Sequence, residues 1–279
     1  MATSDFSVTI GQPTLVAPET PTPHEFKYLS NIDDQMGLRN HIPFIHVYRR
    51  PQNGPGCDPG PIIHQALSRA LIHYYPLAGR LRNGGKEKLV VECTGEGMVY
   101  RDADADVTIE LLRKANGGIR PPFRHLDRFL VNDVWGCNSI INSPLLRVQV
   151  TRLACGGFIL AYTFNHCICD GFGAHQFITA VAELARNPTL TSPSIIPAWS
   201  REILAPRSPP NVTYTHPEYD QVDNVTPLPS PPTELDFRQL TQTSVSSPRT
   251  DGRPSSGRPP RGRTDVASLK RQERLWTPP

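Results

Sequence analysis

The sequence predicts a mixed α/β domain over residues 1–187, a proline-rich connector over 188–226 and a disordered tail over 227–279. Three observations carry this reading. Short strand-like apolar runs alternate with stretches of helical periodicity as far as Pro188, and turn residues separate them. Of the 30 prolines, seventeen lie between Pro188 and Pro279, and proline interrupts both helix and sheet because it lacks a backbone donor. From Ser244 to Arg263 the chain is almost entirely Ser, Pro, Arg and Gly, too little apolar surface to offset the entropy of ordering it.

The first clear element is a strand over Phe44–Tyr48, after Pro43. Asp58 then precedes Pro61 and a run in which Ile62, Ile63, Ala66, Leu67, Ala70, Leu71 and Tyr74 fall at helical spacing. A helix starts near Pro61, therefore, and stops before Pro76. After a turn at Leu77–Arg80, Lys88–Cys93 and Gly97–Tyr100 read as a strand pair around Thr94-Gly95-Glu96. Leu145–Leu153 and Phe158–Phe164 form a hairpin across Cys155-Gly156-Gly157. The second hairpin strand runs directly into Asn165–Gly171, and Ala174, Phe177, Val181 and Leu184 mark a helix ending near Arg186. His166 thus stands where a strand ends and a helix is about to start. The connector keeps apolar anchors at Trp199, Ile203, Leu204 and Tyr214.

Charge narrows the function classes. The net charge of +3 is uneven: residues 241–279 carry eight Lys or Arg against three Asp or Glu, leaving about −2 on residues 1–240. A nucleic-acid binder needs its basic excess on an ordered face, and here it sits in the tail. The amino terminus lacks the pattern of a secretory or transit peptide, and no run approaches the ~18 apolar residues of a membrane span. The expectation is a cytoplasmic protein that engages neither nucleic acid nor membrane, with free thiols at its six cysteines. The Asn-Val-Thr sequons at Asn211 and Asn224 then have no role.

His166 and Asp170 make an H-x-x-x-D pair followed by Gly171. An imidazole titrates near ~6.5, so at neutral pH it accepts a proton from an alcohol or amine. That suits direct attack of a hydroxyl on a thioester, with no covalent enzyme intermediate. By residue type, Asp170 either orients the ring or holds the loop. Cys169 beside His166 also admits a thiolate–imidazole dyad, although packing is the commoner role of such a cysteine. Cys167 and Cys169 lack the second pair that a structural zinc site requires, so no metal is expected. The other eight histidines, His41 and His46 among them, read as packing or surface residues.

Three ordered motifs carry a family resemblance. Leu29-Ser30-Asn31-Ile32-Asp33-Asp34 is similar to an LSxxD signature, Tyr75-Pro76-Leu77-Ala78-Gly79-Arg80 to YPLAGR, and His166–Gly171 to HxxxDG. Together they resemble the plant BAHD acyl-CoA-dependent acyltransferases over roughly residues 7–222, and the segments between them resemble the alcohol-acylating members. The resemblance implies a chloramphenicol-acetyltransferase-like fold of two similar α/β domains with a solvent channel between them. It implies acyl-CoA as co-substrate with no bound cofactor, a small alcohol as acceptor in plant secondary metabolism, and a monomer. His166 becomes the general base, Asp170 a loop-holding residue paired with a charge, and Gly171 part of the same structural motif. Phe172 either lines the acceptor channel or caps the following helix. Arg80 most simply bonds carbonyls or a carboxylate at its corner, and Tyr74 and Tyr75 belong to the core.

The sequence departs from the family after the connector. No Asp-Phe-Gly-Trp-Gly occurs, and Asp236-Phe237 is followed by Arg238. The expectation is an amino-terminal half whose second domain is missing, leaving a face through which copies self-associate. The competing reading is a non-catalytic fragment or interaction partner lacking the CoA-binding half.

Overall fold

The computed structural model describes residues 6–50, 56–85, 88–115, 125–131 and 139–205, together with 207, 209, 211, 213–215 and 274–275. Its elements in chain order begin with strands β1 (Val8–Ile10), β2 (Thr14–Val16), β3 (Phe26–Tyr28) and β4 (His41–Arg49). Helix α1 (Pro59–His73) follows, then β5 (Arg80–Gly85), β6 (Lys88–Glu92), β7 (Met98–Ala105) and helix α2 (Ile109–Ala115). The hairpin β8 (Leu146–Leu153) and β9 (Phe158–Asn165) leads into helix α3 (Gly171–Arg186), and β10 (Arg274–Leu275) comes last.

Among the described residues the main sheet runs β1-β7-β8-β9-β4-β10, with β2 also on β7. It is mixed: β8 lies parallel to β7 and antiparallel to β9, and β9 is antiparallel to β4 with His41 opposite Asn165. A smaller antiparallel sheet runs β3-β6-β5.

Helix α1 starts where the sequence says it should. The Asp58 carboxylate accepts the Gly60 amide at 3.1 Å and Pro59 opens the first turn, which satisfies one orphan donor and needs none from the proline. The stripe Ile63, Ala66, Leu67, Ala70 and Leu71 is buried against α3, whose own stripe is Ala174, Phe177, Ile178, Val181 and Leu184. Both helices cover one face of the main sheet. Phe158, Leu160, Tyr162 and Phe164 of β9 point into this core, as period-two alternation requires, while Ile159 and Ala161 face a second core with Val107, Leu112 and Phe129. Phe177 is fully buried and meets Tyr74 and Phe164 edge to face, at centroid distances of 5.1 and 5.7 Å.

The structure corrects several expectations. Lys88–Glu92 and Met98–Tyr100 are strands but do not pair with each other: β6 bonds β5 and β3, and β7 joins the main sheet. The connection is not a hairpin turn, because Gly95 and Gly97 take φ of +71° and +98° and carry the chain from one sheet to the other. A Cβ at Gly97 would stand 2.3 Å from the Val16 carbonyl oxygen. The segment read as a turn at Leu77–Arg80 is a short 3-10 helix over Tyr75–Ala78 followed by β5. Strand β4 begins at His41 and includes Pro43, which an edge strand tolerates. In the connector, Arg201–Leu204 forms a 3-10 turn. Within the tail, Arg274–Leu275 lies parallel to Tyr48–Arg49. Ser244–Arg263 falls outside the described residues.

Candidate active site

The loop 166–170 joins the buried end of β9 to the start of α3. Asn165 builds its turn: its amide donates to the Leu145 carbonyl at 2.8 Å, its side-chain oxygen accepts from the Cys167 amide at 3.1 Å, and its carbonyl accepts from the Ile168 amide at 3.0 Å. Asn165 is fully buried. A second brace comes from the segment before β4, where the His166 amide donates to the Asn40 carbonyl at 2.8 Å and the Cys167 thiol to the Leu38 carbonyl at 3.4 Å.

That bracing segment is fixed by the residues of the early motif. The buried Asp34 carboxylate accepts from the Leu89 amide at 3.2 Å and from Arg39 Nη2 at 3.0 Å, tying the segment to β6. Asp33 accepts from Ser30 Oγ at 2.8 Å and from Arg201, and Arg201 also donates to the Ile168 carbonyl. Two motifs more than a hundred residues apart in sequence are thereby one structural unit. The sequence reading singled out both motifs but not Asn165, Asn40 or Arg201. The asparagine flanking the motif histidine and the arginine beside the anchor Trp199 were the available signals.

The His166 ring is half-buried, and its Nδ1 is buried with no hydrogen-bond partner among the described residues. Asp170 does not orient it. Its carboxylate accepts the Gly173 amide at 2.9 Å as the N-cap of α3, and no ion pair of Asp170 forms among the described residues. The partner that Asp170 has among the described residues is this backbone amide. At Gly171 an added Cβ would meet nothing within 4 Å, whereas at Gly173 it would stand 2.9 Å from the Cys169 Cβ. Phe172 is 86% exposed on the first turn of α3, next to the histidine loop.

The neighbouring groups constrain the chemistry. Burial pushes the Cys167 thiol up to about 12 and the Cys169 thiol higher still, with the Asp170 charge adding to the latter. Neither is a thiolate at neutral pH, so the cysteine–histidine dyad has no support. His41, opposite Asn165, is held down to about 3 by burial and by the Arg147 charge, and its Nε2 lies 3.2 Å from the Pro144 carbonyl. A neutral ring bonded to a carbonyl must donate there. Arg80 is 3% exposed and donates to the Gly79 and Gly97 carbonyls at 2.7 and 2.8 Å while pairing with Glu96 at 3.3 Å, a corner clamp. Tyr74 lies in the core, and Tyr75 bonds Glu25. Among the described residues no three His, Cys, Asp or Glu side chains are grouped to hold a metal, and no helix is long and apolar enough to cross a membrane.

Comparison with known proteins agrees with the motifs. A family model described as the Transferase family matches residues 6–249. The chain is 49% identical over 217 residues to benzyl alcohol O-benzoyltransferase of Petunia hybrida, covering 78% of this chain and 46% of that protein. It is 49% identical over 216 residues to 13-hydroxylupanine O-tigloyltransferase of Lupinus albus, covering 77% and 46%. Against alcohol acyl transferase 1 allele RGb of Malus domestica the identity is 51% over 212 residues, covering 76% and 45%. Among solved structures, vinorine synthase superposes with a TM-score of 0.56 and 25% identity, over 70% of this chain and 46% of that one. The chain therefore spans about half the length of the curated relatives it matches.

Proposed function

The chain belongs to the Transferase family, the BAHD acyltransferases, and on that premise we propose that it serves acyl transfer from an acyl-CoA thioester to the hydroxyl of a small alcohol, with His166 as general base. The observation that carries the proposal is the position of His166: a half-buried imidazole on a loop fixed by Asn165 and Asn40, in a chain about half identical to alcohol acyltransferases.

In the proposed reaction the imidazole takes the hydroxyl proton as the alcohol oxygen attacks the thioester carbonyl carbon. The carbon–sulfur bond then breaks, the acyl group stays on the alcohol oxygen, and the departing CoA sulfur receives the proton from His166. Holding one ring position matters because proton transfer needs hydrogen-bond reach, and a base placed in that way contributes ~10²–10⁴ in rate. Asp170 keeps the loop in place by capping α3, Gly173 lets the helix start close beneath Cys169, and Phe172 offers an apolar surface to the acceptor or acyl chain. The proposed compartment is the cytoplasm, where the free thiols of Cys57, Cys93, Cys155, Cys167 and Cys169 stay reduced.

The test is release of free CoA from benzoyl-CoA and acetyl-CoA in the presence of benzyl alcohol. It is run on residues 1–279 and on a chimera in which the remainder of the Petunia relative follows Val222. Alcohol-dependent release by either protein supports the enzyme reading. A folded chimera that releases no CoA would favour a chain that acts without catalysis, as an interaction partner.

A further inference from the structure

We propose that Arg201 is the positioning residue of the proposed catalytic loop, coupling the segment after α3 to the backbone that carries His166. One planar guanidinium reaches two groups: Nη1 donates to the Asp33 carboxylate and Nη2 to the Ile168 carbonyl. The Arg201 and Asp33 side chains are mostly buried, and Asp33 is itself held by Ser30 Oγ at 2.8 Å. The fork is anchored from behind. Arg201 Cζ lies 6.0 Å from the Trp199 ring, and Trp199 Nε1 donates to the His73 carbonyl at the end of α1.

Ile168 is the last residue of the turn that starts at His166. Its amide is spent on Asn165, so its carbonyl is the acceptor through which the rest of the molecule fixes the far side of that turn. A forked donor holds both partners in one fixed geometry, which an ammonium, a point charge on a flexible stem, reproduces only in part. Arg201 lies in the connector, so ordering of that segment and placement of His166 are one event. The bracing is independent of the acyl-transfer reading; its consequence for turnover rests on that reading.

The experiment is hydrogen exchange of the amides of residues 166–168 in the full chain, with the titration of the His166 ring followed by NMR. Arg201→Gln is expected to raise exchange across the loop by about tenfold or more and to move the ring resonance. Arg201→Lys should recover part of the protection. Arg152→Gln, which removes an ion pair elsewhere, should leave the loop unchanged. If Arg201→Gln does not fold, Asp33→Asn, which keeps the donation to Ile168, should give intermediate loosening. Parent-like exchange in Arg201→Gln or no loosening in Asp33→Asn would overturn the proposal. Because no readout depends on turnover, failure of the acyl-transfer reading leaves this result separate.

Discussion

The Asp170 carboxylate accepts the amide of Gly173 at 2.9 Å and closes the first turn of α3. It is committed to the helix, and His166 is held by other groups.

A capping role predicts an asymmetric pair of variants. Asn is as good an N-cap as Asp, while Ala removes the acceptor at a cost of ~0.5–2 kcal/mol. Asp170→Asn should unfold within a degree or two of the parent, and Asp170→Ala should lose several degrees in a thermal melt. Equal losses in both would mean that the negative charge matters and that a cation pairs with it.

The two glycines after the aspartate should behave oppositely. Gly171→Ala meets open space and should leave the thermal midpoint unchanged or slightly raised. Gly173→Ala presses a methyl to 2.9 Å from the Cys169 Cβ, which calls for backbone movement and should cost ~1–3 kcal/mol. Denaturant midpoints of the two variants check this.

At the far end of the sheet Arg152 makes a two-point contact with Asp58, at 2.6 and 2.9 Å. That hydrogen bonding holds the Asp58 carboxyl below its ordinary 3.8. A depressed carboxylate stabilises the fold above its unfolded value, and the contribution is lost as pH falls through the folded value. The thermal midpoint of Asp58→Ala should therefore lie below that of the parent by a constant amount at neutral pH. The gap should narrow below pH ~4 as Asp58 of the parent takes up a proton and loses the charge that the variant already lacks. Both side chains are partly exposed, so the effect belongs at the low end of the ~0.5–2 kcal/mol for a lost cap. A gap that widens on acidification would contradict the assignment.

The thiols should separate into two classes. Cys57 and Cys155 are exposed, whereas burial pushes Cys93 and Cys167 up to about 12 and Cys169 higher. Alkylation of the folded chain at pH 8, read by peptide mass spectrometry, should label Cys57 and Cys155 and spare Cys93, Cys167 and Cys169. Rapid labelling of Cys169 would reopen the dyad with His166.

Much of this was legible in the sequence wherever a local signal and a tertiary role coincide. Asp58 with the prolines announces α1, the Gly156-Gly157 turn announces the hairpin, and the H-x-x-x-D-G run places His166 between strand and helix. The signal failed where pairing is decided at long range. Lys88–Glu92 and Met98–Tyr100 sit at hairpin distance, but the +98° φ of Gly97 sends them to different sheets, and alternation within a strand does not say which edge it will join. The bracing of the site was hidden for the same reason. Asn40 acts through its own carbonyl, Arg201 through a guanidinium shared between the Asp33 carboxylate and the Ile168 carbonyl, and Asn165 largely through its own backbone, so no spacing of residue types marks them. The capping role of Asp170 was within reach of the residue preferences at helix starts, and the resemblance implied a loop-holding residue without naming the backbone amide.

The central claim is that His166 carries the proton. The measurement that tests it most directly is alcohol-dependent CoA release by the chimera carrying the Petunia remainder, compared with its His166→Ala variant, alongside a thermal melt of each. The account predicts that the variant loses ~10²–10⁴ in turnover while its melt stays within a few degrees of the parent's. Turnover within a factor of two of the parent, from a variant that melts like the parent, would contradict it.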